Sequence, residues 1–231
     1  GTYNSLVKVD DNTYALAYTG NGDDGFIKTF TIPADGSTIE LVAQWEHDTD
    51  QATWNSFTQV DSNTYALAYS GTTGNDGYIK TFTISSDGAN ITVVQTKEHD
   101  ANEGMYNSFI RMDSDTYLLA YQGYQNDGWI KTFTIPADGS TITQVQSLEH
   151  DSYMGYYNSL VQVDYNTYAL AYSGGTSTYT NSYYYGFLKT FTIPLDGSSI
   201  TQVKSFQNNT TNNIGAFQSL IKINSEEYAL A

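Results

Sequence analysis

A repeat constrains this chain more than anything else in it. Copies of one unit begin at Tyr3, Trp54, Tyr106, Tyr157 and Phe217, so the period is 51, 52, 51 and then 60 residues. The bounds are 3–53, 54–105, 106–156, 157–216 and a partial copy at 217–231. A period near 50 residues marks a solenoid, a propeller or an array, because one such unit cannot bury its apolar faces alone.

Four strand patterns, a to d, follow one another in each copy. The first copy reads SLVKV (5–9), TYALAY (13–18), FIKTFTI (26–32) and IELVAQW (39–45). In strand b, Tyr14, Leu16 and Tyr18 share one face while Ala15 and Ala17 share the other. Both faces are apolar and one is small, which predicts a strand held between two neighbouring sheets. Strand c puts Phe26, Lys28, Phe30 and Ile32 on one side and Ile27, Thr29 and Thr31 on the other, a more polar pattern expected further out. Short a-b turns at Asp11-Asn12, Ser62-Asn63, Ser114-Asp115 and Tyr165-Asn166 predict hairpins, as do the Asp-Gly pairs ending at Gly36, Gly88, Gly139 and Gly197 between c and d.

Four antiparallel strands per unit describe a propeller blade. The sequence therefore predicts an all-β fold, a β-propeller of four complete blades plus strands a and b of a fifth, as one domain over 1–231. That domain reads as incomplete. An edge left open at Tyr228-Ala229-Leu230-Ala231 is expected to be covered by missing blade strands or by another chain.

Composition agrees and removes several functions. Twenty-one Tyr, ten Phe and three Trp beside three Pro favour strands. A formal charge of −16 repels phosphate backbones and anionic lipid, so neither nucleic acid nor membrane insertion is expected. No apolar run approaches the ~18 residues of a span. The same charge suits an extracellular or cell-surface setting. Cys is absent, which excludes disulfides.

In an up-and-down blade the b-c and d-a loops leave on one face. The b-c loops are seven, eight, seven and fourteen residues long, and a d-a loop lengthens from eight residues to ten before the fifth copy. Length variation thus falls on one face, where a rigid scaffold usually carries binding. A Tyr-rich patch is expected there, built from Tyr124, Tyr153, Tyr156, Tyr179, Tyr183 and Tyr184, with His150 beside it as the histidine free to titrate or meet a ligand.

Two motifs recur on that face. Glu-His-Asp stands at 46–48, 98–100 and 149–151, and Asp-Gly precedes strand c at Asp24-Gly25, Asp76-Gly77 and Asp127-Gly128. In these the chain resembles WD40-type propellers, although their Gly-His reads Glu-His here and their Trp-Asp is replaced by Thr-Phe-Thr-Ile. The resemblance implies structural hydrogen bonds from His47 to Asp76 and from His99 to Asp127. His150 has no such Asp, because the fourth loop ends Tyr184-Tyr185-Gly186.

Asp-rich b-c loops such as Asn21-Gly22-Asp23-Asp24-Gly25 invite a calcium reading, yet their composition is that of ordinary turns, and no metal or cofactor is expected. The sequence holds no Gly-x-Ser-x-Gly elbow, His-Glu-x-x-His or phosphate loop. Near-identical blades point to a non-enzymatic binding or scaffold module with an unknown protein or glycan ligand. Two alternatives stand beside it: a lectin with repeated sites, and a glycoside hydrolase-like enzyme using channel carboxylates.

Overall fold

A computed structural model describes residues 1–72, 74–175, 185–207 and 219–231. Four antiparallel sheets follow the repeat. The first is β1 (Thr2–Lys8), β2 (Thr13–Thr19), β3 (Gly25–Thr31) and β4 (Glu40–Asp48). The second is β5 (Ala52–Gln59), β6 (Thr64–Gly71), β7 (Asp76–Ile84) and β8 (Ile91–Asp100). The third is β9 (Met105–Arg111), β10 (Thr116–Gln122), β11 (Gly128–Thr134) and β12 (Thr143–Asp151). The fourth is β13 (Tyr156–Asp164), β14 (Thr167–Gly174), β15 (Tyr185–Thr192) and β16 (Thr201–Gln207). A two-stranded hairpin, β17 (Leu220–Lys222) and β18 (Tyr228–Leu230), closes the series. Every sheet pairs its strands in chain order, which is the blade expected from the repeat.

The chain forms two compact units, Gly1–Met105 with Ile135–Ile142 and Tyr106–Thr134 with Thr143–Ala231. In the first unit, Tyr65, Leu67 and Tyr69 of β6 pack with Ala15, Ala17 and Ile27 of the preceding blade. The alternation of large and small faces on strand b is therefore the device that fits one blade against the next. All three large side chains are fully buried, worth about 2 to 3 kcal/mol each. The second unit repeats the arrangement, with Tyr168, Leu170 and Tyr172 joining Leu118 and Ala120 in one cluster. Ala169 and Ala171 meet Leu220, with Tyr228 packed alongside.

Strand c differs from its predicted outer position. Ile79, Thr81 and Phe82 of β7 are fully buried, and the exposed strand is d, where Leu41, Val203 and Phe206 are 57%, 62% and 60% exposed. The threonines of c are polar because they bond across blades. Thr29 Oγ1 donates to Gly88 O at 2.7 Å and Thr81 Oγ1 to Gly139 O at 2.8 Å. In the second unit Thr132 Oγ1 does the same to Gly197 O at 2.8 Å. The accepting residues are the c-d turn glycines, whose φ of +68° to +74° places them in the left-handed region.

Candidate functional site

The d-a and b-c loops meet, as the strand order requires. Gly104 N–H donates to Asn75 O and Gly155 N–H to Asn126 O, both at 2.8 Å. Gln51 Nε2 reaches Asn75 Oδ1 at 2.7 Å, and Tyr156 Oη reaches Asn126 Oδ1 at 2.7 Å.

Beneath these loops strand a of each four-stranded sheet carries an aromatic-Asn-Ser triplet near its start, and each residue of the triplet has its own task. The aromatics Tyr3, Trp54, Tyr106 and Tyr157 all hold positive φ, at 52°, 56°, 54° and 54°. Bulky residues rarely occupy that region. The register slips here, between Thr2 and Ser5, Thr53 and Ser56, and Tyr156 and Ser159, so the strained residue sits in a β-bulge that redirects its ring. The Asn side chain clamps the bulge: Asn55 Nδ2 donates to Ala52 O at 3.2 Å and Asn158 Nδ2 to Gly155 O at 2.8 Å. The Ser hydroxyl joins adjacent a strands, Ser5 Oγ accepting from Phe57 N–H at 2.9 Å and Ser108 Oγ from Leu160 N–H at 3.0 Å.

The rings consequently gather at the loop end of strand a. Tyr3 and Trp54 lie 4.1 Å apart between centroids. In the second unit Tyr106 lies 4.6 Å from Tyr157 and 5.0 Å from Tyr156. Of the expected Tyr patch, Tyr156 joins this cluster, while Tyr124 and Tyr153 stand 57% and 54% exposed on its loops. Tyr179, Tyr183 and Tyr184 lie outside the described residues. Tyr3, Trp54, Tyr106 and Tyr157 were not expected as site residues, although their recurrence at the head of every copy was the available signal.

The histidines occupy other places than those expected. His47, His99 and His150 are buried, each lying on the glycine before its own strand c. A Cβ on Gly25 would stand 2.6 Å from His47 Cε1, and one on Gly77 or Gly128 would stand 2.4 Å from Cε1 of His99 or His150. Glu-His-Asp and Asp-Gly therefore recur together because imidazole needs a neighbour without a side chain. The His47–Asp76 hydrogen bond is not made: neither ring nitrogen of His47 has a hydrogen-bond partner among the described residues, and Asp76 accepts from Thr72 Oγ1 at 3.1 Å. His99 belongs to the first unit and Asp127 to the second. His150 is not an exposed titrating group, since its ring stands edge-on to Tyr172 at 4.7 Å and burial, then Lys189, hold its pKa well below the ordinary value. Gly128→Ala should cost about 3 kcal/mol by driving a methyl group into this ring, a loss of roughly 6 to 12 °C in Tm.

The aspartate of the motif makes the polar link between blades. Asp48 Oδ2 accepts from Tyr69 Oη at 2.8 Å and from Lys80 Nζ at 3.0 Å. Asp151 Oδ2 accepts from Tyr172 Oη at 2.8 Å. Among the described residues no group of three His, Asp or Glu side chains could hold a metal ion, and no helix is long and apolar enough to cross a membrane.

Four-stranded blades coupled through strands a and b define a β-propeller. Residues 12–159 match the family described as "Lactonase, 7-bladed beta-propeller", and the chain belongs to that family. None of the curated proteins matches it. Among solved structures it is similar to an α-L-arabinofuranosidase from Lactobacillus brevis, with 12% identity, 99% of this chain and 81% of that one covered, and a TM-score of 0.59. It is likewise similar to a putative 6-phosphogluconolactonase from Bacteroides fragilis, with 11% identity, 87% and 70% covered, and a TM-score of 0.55. Sqt1 from Chaetomium thermophilum, bound to the N-terminus of ribosomal protein L10, aligns at 16% identity and TM-score 0.54, and this chain spans about half of it. At these identities the structures establish the fold. The family match overturns the expectation of a non-enzymatic module: near-identical blades do not preclude chemistry, and the family is one of lactonases.

Proposed function

We propose that this protein is a hydrolase acting on a sugar-derived substrate, a lactone or a glycoside, at the face formed by the b-c and d-a loops. The match of residues 12–159 to a lactonase family carries this reading. The fold neighbours named as an arabinofuranosidase and a putative 6-phosphogluconolactonase support the substrate class. Hydrolysis of either bond needs one group to take a proton from water and another to protonate the departing oxygen. Carboxylates are the groups this face supplies. Asp48 and Asp151 are already committed to tyrosine hydroxyls, whereas Asp23 and Asp50 stand exposed on the loops of the first unit.

The test is a rate measurement on the full chain. Proton release from neutral sugar lactones and chromophore release from aryl glycosides are followed at pH 7 under first-order conditions. Turnover of one class above the uncatalysed rate is expected, with Asp50→Asn among the variants that lower kcat by at least tenfold. Rates equal to the buffer blank across both panels would remove the hydrolase reading.

A further inference from the structure

The loop face is chemically one-sided, and this goes further than the hydrolase reading on which it rests for its substrate class. Nine cationic side chains exist in the whole sequence, and none lies in a b-c or d-a loop. Lys28, Lys80, Lys131 and Lys189 sit within strand c, each 5.1 to 5.3 Å over a tyrosine ring of strand b. Lys97 and Lys204 lie on strand d. Each of the remaining three lies at the opposite end of its own strand a: Lys8 meets Asp11 in the first unit, while in the second Arg111 donates to Asp113 O and Ser114 O, and Lys222 to Val163 O. The loops carry carboxylates instead, Asp23, Asp24, Asp50 and Asp76 in the first unit. The ammonium groups of Lys80 and Lys189 reach the base of the d-a loops, but they are held there by His47 O and Asp48 and by His150 O, so a phosphate arriving at the exposed loops meets a net negative charge.

The aromatic heads of strand a supply the opposite preference. A non-glycine residue in the left-handed region costs of order 1 to 3 kcal/mol, and strand a of each of the four four-stranded sheets places Tyr or Trp there. Gly or Asn would give the same bulge without strain. The ring is thus what these positions retain at the expense of backbone comfort. Tyr3 remains 38% exposed beside Trp54, and the Tyr106, Tyr156 and Tyr157 rings are half-buried. Rigid, amphipathic faces of this kind stack on the C–H face of a sugar ring, while nearby carboxylates and the Asn and Gln amides take up its hydroxyl groups.

We propose that these clusters, Tyr3 with Trp54 in one unit and Tyr106 with Tyr156 and Tyr157 in the other, are platforms for uncharged sugar rings, and that the loop face discriminates against phosphorylated sugars. A phosphosugar lactone is accordingly a poor substrate for this chain, in spite of the name of one fold neighbour. The positive φ makes a clean variant available, since Trp54→Gly and Tyr157→Gly remove the rings while relieving the backbone.

Binding is measured apart from turnover by saturation-transfer NMR, with arabinobiose, galactobiose and cellobiose as neutral probes and glucose 6-phosphate and 6-phosphogluconate as charged ones, at 20 and 150 mM salt. At least one neutral probe is expected to bind, the charged probes at least tenfold more weakly at both salts, and the folded Trp54→Gly/Tyr157→Gly double variant at least tenfold more weakly for the neutral probe. Circular dichroism establishes that the variant is folded, and Tyr165→Ala, at a residue 70% exposed on an a-b turn away from the loop face, serves as the second variant and should retain affinity. Equal affinity for a phosphorylated sugar, unchanged affinity in the folded double variant, or binding of none of the neutral probes would overturn the proposal. Neutral-sugar binding that depends on the rings but comes without turnover would support the platforms and remove the hydrolase reading instead.

Discussion

Asp48→Ala should destabilise the protein by about 3 kcal/mol, because it leaves a half-buried ammonium and a buried phenol without their shared acceptor. The Lys80 and Asp48 side chains are only 12% and 20% exposed. Lys80 Nζ also donates to His47 O at 2.6 Å and stands 5.2 Å over the Tyr69 ring, so it cannot turn to water without abandoning both contacts. The same deletion at the exposed Lys8–Asp11 pair, where the side chains are 56% and 95% exposed, should change stability by less than about 0.5 kcal/mol. Guanidinium denaturation reads both, as a lower midpoint at unchanged slope. Adding Lys80→Met to Asp48→Ala should recover part of the loss, since removing both partners leaves no orphaned charge. A double variant no more stable than Asp48→Ala would show that the link is made of something other than this ion pair.

Acidification should destabilise the protein from about pH 6.5 downward, through its buried histidines. The His47 pKa is lowered to about 3, mainly by burial, next by the charge of Lys80, with Asp48 opposing. A chain whose unfolded histidine titrates near its ordinary value takes up protons that the folded state refuses, so stability is full above about pH 6.5 and falls as pH drops toward 3. At pH 4 His47 alone accounts for about 3 kcal/mol. His150 shifts in the same direction and adds to the loss. Asp48 contributes at still lower pH: burial raises its pKa, but the Tyr69 hydroxyl and Lys80 outweigh that and leave it below the ordinary value. Denaturation midpoints at pH 7, 5.5 and 4 should therefore fall steadily, and His47→Phe should flatten part of the slope. Equal midpoints at pH 7 and 4 would mean that the imidazoles are not held neutral in the folded protein.

Blade, strand order and the shared loop face were legible because they follow from local periodicity. Tyr14-Ala15-Leu16-Ala17-Tyr18 states by alternation alone that one face is large and the other small, and the same pattern in each copy repeats the statement. Long-range partners were harder to read. Glu-His-Asp beside Asp-Gly suggested a histidine bonded to an aspartate, whereas the histidine lies on the glycine and the aspartate of its own motif bonds Tyr69 and Lys80 of the next blade. Nothing in the spacing separates these two arrangements, since both bring the same motifs together. His150 misled for a related reason: a missing Asp looked like a free imidazole, but the ring is placed by Gly128 and Tyr172 and needs no carboxylate.

What the sequence determined by itself is therefore the repeating sheet and its sidedness in charge, because alternation and composition act residue by residue. The loops carry no cation whatever their conformation, and this is visible in the chain as written. Only the tertiary structure decided where the aromatic heads of strand a point. A positive φ at Tyr3, Trp54, Tyr106 and Tyr157 is opposed by each residue's own preference, and it persists because the bulge, the Asn clamp and the Ser link to the neighbouring strand together over-determine it. Such a conformation belongs to contacts between blades, which no single copy of the repeat contains.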